Sequence, residues 1–155
     1  MNLYTMDITI SQIKTLRELT GAGVADCRHA LEESNGDIKK AQELLSNETS
    51  IKAEKKQDRE IKDGLVVSYI HGNGKIGVLL EMGCETDFVA KTADFVTLVH
   101  EIAMQVTAMD PANLEELLEQ DYIRDGSKKI KDLISTVVAK TGENIKVGRF
   151  VRYEI

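Results

Sequence analysis

The sequence predicts an α+β protein in which three short helices precede a region of mixed strands and helices. Apolar residues recur at helical spacing through residues 1–49, residues 50–63 are mostly charged, and β-branched runs begin after Gly64. In residues 64–155 the strands and helices do not alternate regularly, which favours an α+β domain over a doubly wound one. We therefore expect two domains, 1–49 and 64–155, joined by a charged helical linker over 50–63.

The first domain is predicted to be a three-helix bundle with a small core. Thr9 and Gln12 fit a capping box at the start of the first helix, and Gly21-Ala22-Gly23 ends that helix. Asn35-Gly36 marks a turn, after which Asp37 can cap the third helix. The apolar faces of the helices are Ile10, Ile13, Leu16 and Leu19, then Val24, Cys27, Ala30 and Leu31, then Ile38, Ala41, Leu44 and Leu45.

The second domain begins with a predicted β-hairpin. Two apolar runs, 65–70 and 76–82, flank a turn-rich segment, and the alternating stretch 144–155 supplies a third strand. Gly72-Asn73-Gly74-Lys75-Ile76-Gly77 matches the spacing of a phosphate-binding loop. Such a loop opens a helix, whereas here a strand follows, so the hairpin interpretation is favoured over nucleotide binding.

Three helices are predicted between the hairpin and the last strand. Thr92 can cap an amphipathic helix that ends before Pro111. Asn113 can cap a short helix, and Ser127 can cap another that ends at Gly142.

Composition and charge limit the possible functions. Hydrophobic residues make up 42% and charged residues 30%, which is typical of a globular protein. The net charge of -6 argues against direct nucleic-acid binding. No apolar run is long enough for a membrane span and the first residues do not resemble a signal peptide, so we expect a cytoplasmic protein without membrane contact.

The residues that usually carry chemistry form no recognisable site. Cys27 and Cys84 are isolated, so we expect buried, reduced thiols without a structural zinc site. His29, His71 and His100 show no local pattern of metal ligands or of a catalytic triad. We therefore expect no catalytic residues, no bound metal and no cofactor.

Two segments are candidates for contact with a partner. The glycine-lined stretch Leu19–Val24 would let a partner approach the backbone closely, although composition alone favours an ordinary corner between two helices. Phe88 follows Asp87 where a strand gives way to a helix. An aromatic there usually belongs to the core, but its acidic neighbours are costly to bury, and Phe95 already supplies an aromatic to the next helix. An exposed Phe88 would be an anchor for a partner's pocket.

Several stretches of the sequence carry a resemblance when they are taken together: Leu16–Cys27, Ala30–Ile38, Cys84-Glu85-Thr86-Asp87-Phe88-Val89-Ala90-Lys91, Gly142-Glu143-Asn144-Ile145 and Arg149–Glu154. In this order, and spread over most of the chain, they resemble one family, bacterial translation elongation factor Ts, the guanine-nucleotide exchange factor for elongation factor Tu.

The resemblance implies both a fold and a mode of action. It implies an N-terminal domain similar to ubiquitin-associated domains and a core domain with a three-stranded antiparallel sheet packed on helices. The family displaces Mg²⁺ from elongation factor Tu and promotes GDP release, so that GTP can rebind. The residues that would dislodge Mg²⁺ are Thr86, Asp87, Phe88 and Val89, with Phe88 inserted between helices of the partner. The residues that would dock the N-terminal domain are Gly21, Ala22, Gly23, Val24 and Cys27.

This sequence departs from the family between Pro111 and Leu117, where a long helical stretch is nearly absent. With one copy of the core domain, we expect a homodimer through the sheet and a two-to-two complex with elongation factor Tu.

Two other classes of function remain as alternatives. One is a general interaction module whose N-terminal bundle binds a ubiquitin-like or peptide partner. The other is an enzyme with Cys84 or Cys27 as nucleophile.

Overall fold

The computed structural model describes residues 8–155, and it confirms an α+β fold. The chain forms two compact units, one up to Ile51 and one from Lys52 onward. The elements in chain order are α1 (Ile10–Thr20), α2 (Val24–Glu33), α3 (Ile38–Glu54), β1 (Asp63–His71), β2 (Ile76–Cys84), α4 (Asp87–Ala90), α5 (Ala93–Met109), α6 (Leu114–Glu119), β3 (Asp121–Tyr122), β4 (Asp125–Lys129), α7 (Ile130–Thr141) and β5 (Lys146–Glu154).

The helix ends of the first unit follow the sequence signals. Thr9 and Gln12 form the predicted capping box, in which each side chain accepts from the other residue's backbone N–H. Gly21 ends α1 with a left-handed φ of 70°. The Asp37 carboxylate accepts from two backbone N–H groups at the start of α3, which confirms it as a cap. The buried apolar side chains among the described residues of this unit are Leu16, Cys27, Ala30, Leu31, Ala41 and Leu45.

The segment 50–63 is not helical throughout, contrary to the prediction. Helix α3 ends at Glu54 and turns follow it. Like charges four residues apart, such as Glu54 and Asp58, oppose continuation of the helix. In addition, the Asn144 side-chain amide donates to the carbonyls of Gln57 and Arg59, so tertiary contacts hold this backbone instead.

The second unit is built on an antiparallel sheet in the order β1-β2-β5. The hairpin of β1 and β2 is confirmed, with His71 paired to Ile76 next to the turn. The predicted third strand is also confirmed and pairs with β2, with a β-bulge between Glu81 and Met82. Gly72–Lys75 therefore connects the two strands, and Ile76 and Gly77 begin β2 and no helix, as expected.

One face of this sheet packs on helices α4 and α5, and α7 packs on α5 to complete the main core. The largest fully buried side chains there include Phe95, Leu80 and Met82. Thr92 caps α5 and Asn113 caps α6, as the sequence predicts. The side chains of β2 point alternately into this core and to the opposite face of the sheet. The core therefore includes the last residue of the strand, Cys84.

Ser127 does not cap α7, and this prediction is wrong. Ser127 lies in β4, which pairs with β3 in a small ribbon that the sequence did not suggest. Both the N–H and the hydroxyl of Ser127 donate to the Asp125 carboxylate, so a tight turn uses them. Helix α7 begins at Ile130, and the Lys129 N–H donates to Asp132. Gly142 ends α7 with a φ of 78°, as predicted.

Among residues 8–155, no helix is both long enough and apolar enough to cross a membrane.

Candidate functional site

The segment Cys84–Lys91, called the corner below, connects the end of β2 to α5. Its centre is α4, a helix of four residues. The Thr86 hydroxyl accepts from the Val89 N–H at 3.4 Å, so Thr86 is the cap of this turn. The first buried residues after the cap are Val89 and Ala90. The corner is thus fixed to the core on its inner side.

Phe88 points away from that core. Its side chain is 77% exposed, whereas Phe95 in α5 is fully buried. The core interpretation of Phe88, which residue type alone favoured, is therefore wrong. The physical reason is that Val89 fills the inward position of the single turn, and Phe88 lies on the outward side. An exposed phenylalanine on a fixed turn is a suitable anchor for a partner.

Asp87 beside Phe88 is exposed and paired within the same turn. The Lys91 ammonium donates to the Asp87 carboxylate at 2.6 Å. This hydrogen bond and the lysine charge lower the pKa of Asp87, and the same bond raises the pKa of Lys91. The corner therefore presents an aromatic ring next to a carboxylate that stays ionised.

A residue distant in sequence, Glu143, holds the start of the corner. Its carboxylate accepts from the N–H groups of Glu85 and Thr86 at 3.1 and 3.0 Å and from the Thr86 hydroxyl at 2.6 Å. In return, the Glu85 carboxylate accepts from the Asn144 N–H at 2.6 Å. Reasoning from residue types missed Glu143, and its only signal in the sequence is its place in one of the family-like stretches.

The two thiols are poor candidates for a nucleophile. Cys27 and Cys84 are both free and buried, as expected. Burial raises the pKa of Cys84, and the charges of Glu143 and Asp63 raise it further. A thiol that is buried and held protonated is unreactive, which disfavours the thiol-enzyme alternative.

The predicted N-terminal docking residues form the turn between α1 and α2. Gly21 and Gly23 are exposed, Ala22 is partly exposed, and Val24 is 55% exposed at the first position of α2. Cys27 differs from them because it is fully buried, with its sulfur 3.8 Å from the Ala22 carbonyl oxygen. Cys27 therefore supports the turn and offers no contact surface.

One group of possible metal ligands escaped the sequence analysis. His29 and Glu33 lie four residues apart on α2, and the ligand atoms of His29, Glu33 and Glu48 all lie within 4.8 Å of one another. His29 and Glu33 are exposed, and nothing else at this position points to a bound ion.

The face of the sheet opposite the helices carries exposed apolar side chains. Tyr153 is 73% exposed, and its cross-strand partner is Gly77, which in turn pairs with Ile70. Leu79 and Val151 are direct cross-strand partners on the same face. This set, with Val66, forms an apolar surface on this face of the sheet.

Comparison with known proteins gives consistent matches. Residues 85–155 match the family described as Elongation factor TS. Elongation factor Ts of Thermotoga neapolitana is 46% identical over 193 aligned positions, which cover 97% of this chain and 98% of that protein. Elongation factor Ts of Thermotoga maritima is 45% identical, with 97% of each chain covered. Elongation factor Ts of Fervidobacterium nodosum is 43% identical, with 97% of this chain and 99% of that protein covered.

The fold, the exposed corner and these matches define a translation elongation factor, a protein of the elongation step of protein biosynthesis. Within that class, the chain belongs to the elongation factor Ts family.

Proposed function

We propose that this protein is a guanine-nucleotide exchange factor that binds elongation factor Tu, displaces Mg²⁺ and promotes GDP release so that GTP can rebind. It acts in the cytoplasm by protein–protein contact, without being an enzyme and without direct contact to nucleic acid or membrane. The observation that carries the proposal is Phe88, an exposed aromatic on a turn that is fixed to the core through Val89 and Thr86.

The proposed action of the corner is that of a wedge. Mg²⁺ neutralises phosphate charge in the partner's site, so GDP affinity depends on the elements that hold the ion and the phosphates. Insertion of Phe88 between helices of the partner would shift the elements that hold Mg²⁺ and the phosphates. The ionised Asp87 would lie next to these elements. The exposed ring and the paired carboxylate of this chain support that role.

Turnover follows from thermodynamic coupling. If the exchange factor lowers the partner's affinity for nucleotide, nucleotide lowers the partner's affinity for the exchange factor by the same ratio. An incoming GTP therefore releases the factor, which needs no covalent chemistry of its own.

The N-terminal residues 1–49 are proposed to be a separate docking domain similar to ubiquitin-associated domains. The exposed Val24 at the start of α2, next to Gly23, gives an apolar contact point with little side-chain cover. Docking there supplies affinity, and the corner supplies the displacement of Mg²⁺.

The test is the release rate of fluorescent GDP from elongation factor Tu with and without this protein. The proposal predicts faster release that rises with protein concentration. If release is not accelerated while the protein still binds ubiquitin-like or peptide partners, the general interaction module is the better description.

The open sheet face supports a homodimer and a two-to-two complex with elongation factor Tu. Its exposed side chains Ile70, Leu79 and Tyr153 would be buried if the same face of a second copy packed on it. Light scattering should give a dimer for the native chain and a monomer for Leu79→Glu, with Val96→Glu on α5 as a control that stays dimeric. A native chain that is monomeric across micromolar concentrations contradicts this assembly.

A further inference from the structure

We propose that Glu143 is a positioning residue, whose carboxylate fixes the corner so that Phe88 is presented in one orientation. This inference rests on the exchange function proposed above, because it concerns how that function is prepared in the free protein. The Glu143 carboxylate is bonded to Glu85 and Thr86, and it acts on Phe88 through Thr86.

Three hydrogen bonds end on the Glu143 carboxylate. Glu143 Oε2 accepts from the N–H groups of Glu85 and Thr86, and Oε1 accepts from the Thr86 hydroxyl at 2.6 Å. These hydrogen bonds are charge-assisted and span 57 and 58 residues of sequence. They satisfy backbone donors at the point where β2 has ended and α4 has not begun.

The hydrogen bonds between the two segments are reciprocal. The Asn144 N–H donates to the Glu85 carboxylate, so the two chain segments exchange backbone-to-carboxylate bonds in both directions. Arg59 adds a further contact, because its guanidinium lies 3.5 Å from Glu85 and 3.2 Å from the Gly142 carbonyl oxygen. We call this set of bonds between 85–86 and 142–144 the latch.

The segment that follows Glu143 is itself buried and hydrogen-bonded. Asn144 is 2% exposed, and its side-chain amide donates to the carbonyls of Gln57 and Arg59. Ile145 beside it belongs to the main core. Glu143 therefore extends from a buried, hydrogen-bonded segment and can resist movement of the corner.

Helix α4 needs such support because it is only one turn long. A single turn fixes several backbone dihedral angles for very few hydrogen bonds and is unstable alone. Thr86 is its cap, and the hydroxyl that accepts from Val89 also donates to Glu143. Movement of Thr86 would thus turn the whole helix and redirect Phe88.

The exchange experiment uses three variants at a temperature far below their unfolding midpoints. Glu143→Ala removes all the acceptors and should lower the maximal rate of GDP release about ten-fold, as expected for lost charge-assisted bonds. Glu143→Gln keeps one oxygen for the two N–H groups and should retain clearly more activity than Glu143→Ala. Glu115→Ala, which removes an exposed carboxylate on α6, is the matched control and should equal the native protein.

A second readout separates positioning from affinity. The protein concentration that gives half-maximal release should change less than about two-fold in Glu143→Ala, because docking through the N-terminal unit is unaffected. If Glu143→Ala instead raised the half-maximal concentration about ten-fold and left the maximal rate unchanged, the positioning role would be overturned.

Amide hydrogen exchange tests the latch without any partner. In Glu143→Ala, and more weakly in Glu143→Gln, the amides of Glu85, Thr86 and Val89 should exchange at least about ten-fold faster, with the sheet unchanged. Unchanged exchange at these three amides overturns the inference whether or not GDP release is accelerated. If the native protein fails to accelerate GDP release, the proposed function is wrong. Hydrogen exchange then still shows whether Glu143 holds the corner in place.

Discussion

The corner Cys84–Lys91 and the glycine turn Gly21–Val24 look alike from outside. Each presents an exposed apolar side chain close to the start of a helix, Phe88 in one and Val24 in the other. Each also has a buried cysteine beneath it, with a sulfur near a backbone carbonyl of the segment.

They differ in what holds them. Within the described residues, hydrogen bonds of the glycine turn reach no further than five residues, such as the Ala22 N–H to the Thr20 hydroxyl at 3.2 Å. The corner is held by bonds to Glu143 and Asn144, 57 or more residues away. A locally held turn depends on its own glycines, whereas the corner depends on a distant segment, so different mutations should break each one.

The largest expected effect is at Phe88. Phe88→Ala should lower the GDP release rate at least about 30-fold, because an aromatic anchor commonly contributes about 2 kcal/mol or more and in the proposed role this free energy displaces Mg²⁺. Stability should change by less than about 0.5 kcal/mol, since the ring is exposed. Val96→Ala, a truncation of an exposed apolar residue on α5, is the control. Unfolding of Phe88→Ala in thermal denaturation would restore the core interpretation.

A smaller effect is expected at Val24. Val24→Asp places a carboxylate at the first position of α2, which the helix tolerates, but it removes the apolar contact. We expect about ten-fold weaker binding to elongation factor Tu by calorimetry and a nearly unchanged maximal rate of GDP release. Ile10→Asp, at the first position of α1, is the matched control. A loss of maximal rate with unchanged affinity would reverse the roles given to the two segments.

The stability of a glycine substitution tests whether the glycine turn depends on its own backbone conformation. Gly21 has a φ of 70°, so Gly21→Ala should destabilise the protein by about 1 kcal/mol. Gly126→Ala in β4 is the control, because an added Cβ there meets nothing within 4 Å. Thermal denaturation that shows equal midpoints for the two variants would contradict local control of the turn.

The smallest effect concerns the exposed Asp87–Lys91 pair. The bond to Lys91 lowers the pKa of Asp87 below its ordinary 3.8. The pair's contribution is therefore present above pH 3.8 and is lost as the pH falls through the lowered pKa of the folded protein. In Lys91→Ala the pKa of Asp87, measured by NMR titration, should rise toward its ordinary value, with little change in stability at neutral pH. An unchanged pKa would mean that Lys91 does not hold this carboxylate.

The local parts of the fold were predictable from sequence. The capping box at Thr9, the glycine ends of α1 and α7 and the hairpin all depend on residues close together in the chain. Two features were missed, one because a local turn competes with the cap signal and one because it depends on a distant contact. Ser127 looks like a helix cap but serves a turn with Asp125, and the linker backbone is held by Asn144.

In the candidate site, too, the features that depend on the three-dimensional structure could not be predicted. The direction of Phe88 could not be decided from residue type, because it depends on whether Val89 or Phe88 takes the inward position of the turn. Glu143 could not be found at all by local patterns, since its partners lie in another part of the sequence. The family-like stretches pointed to both segments but could not show that they are bonded to each other.

The central claim is that the exposed corner of this protein drives nucleotide exchange on elongation factor Tu. The most direct measurement is the release rate of fluorescent GDP at rising concentrations of the native protein and of Phe88→Ala. The account predicts a saturating acceleration by the native protein and a nearly flat response for the variant. No acceleration by the native protein, or equal acceleration by both, would contradict it.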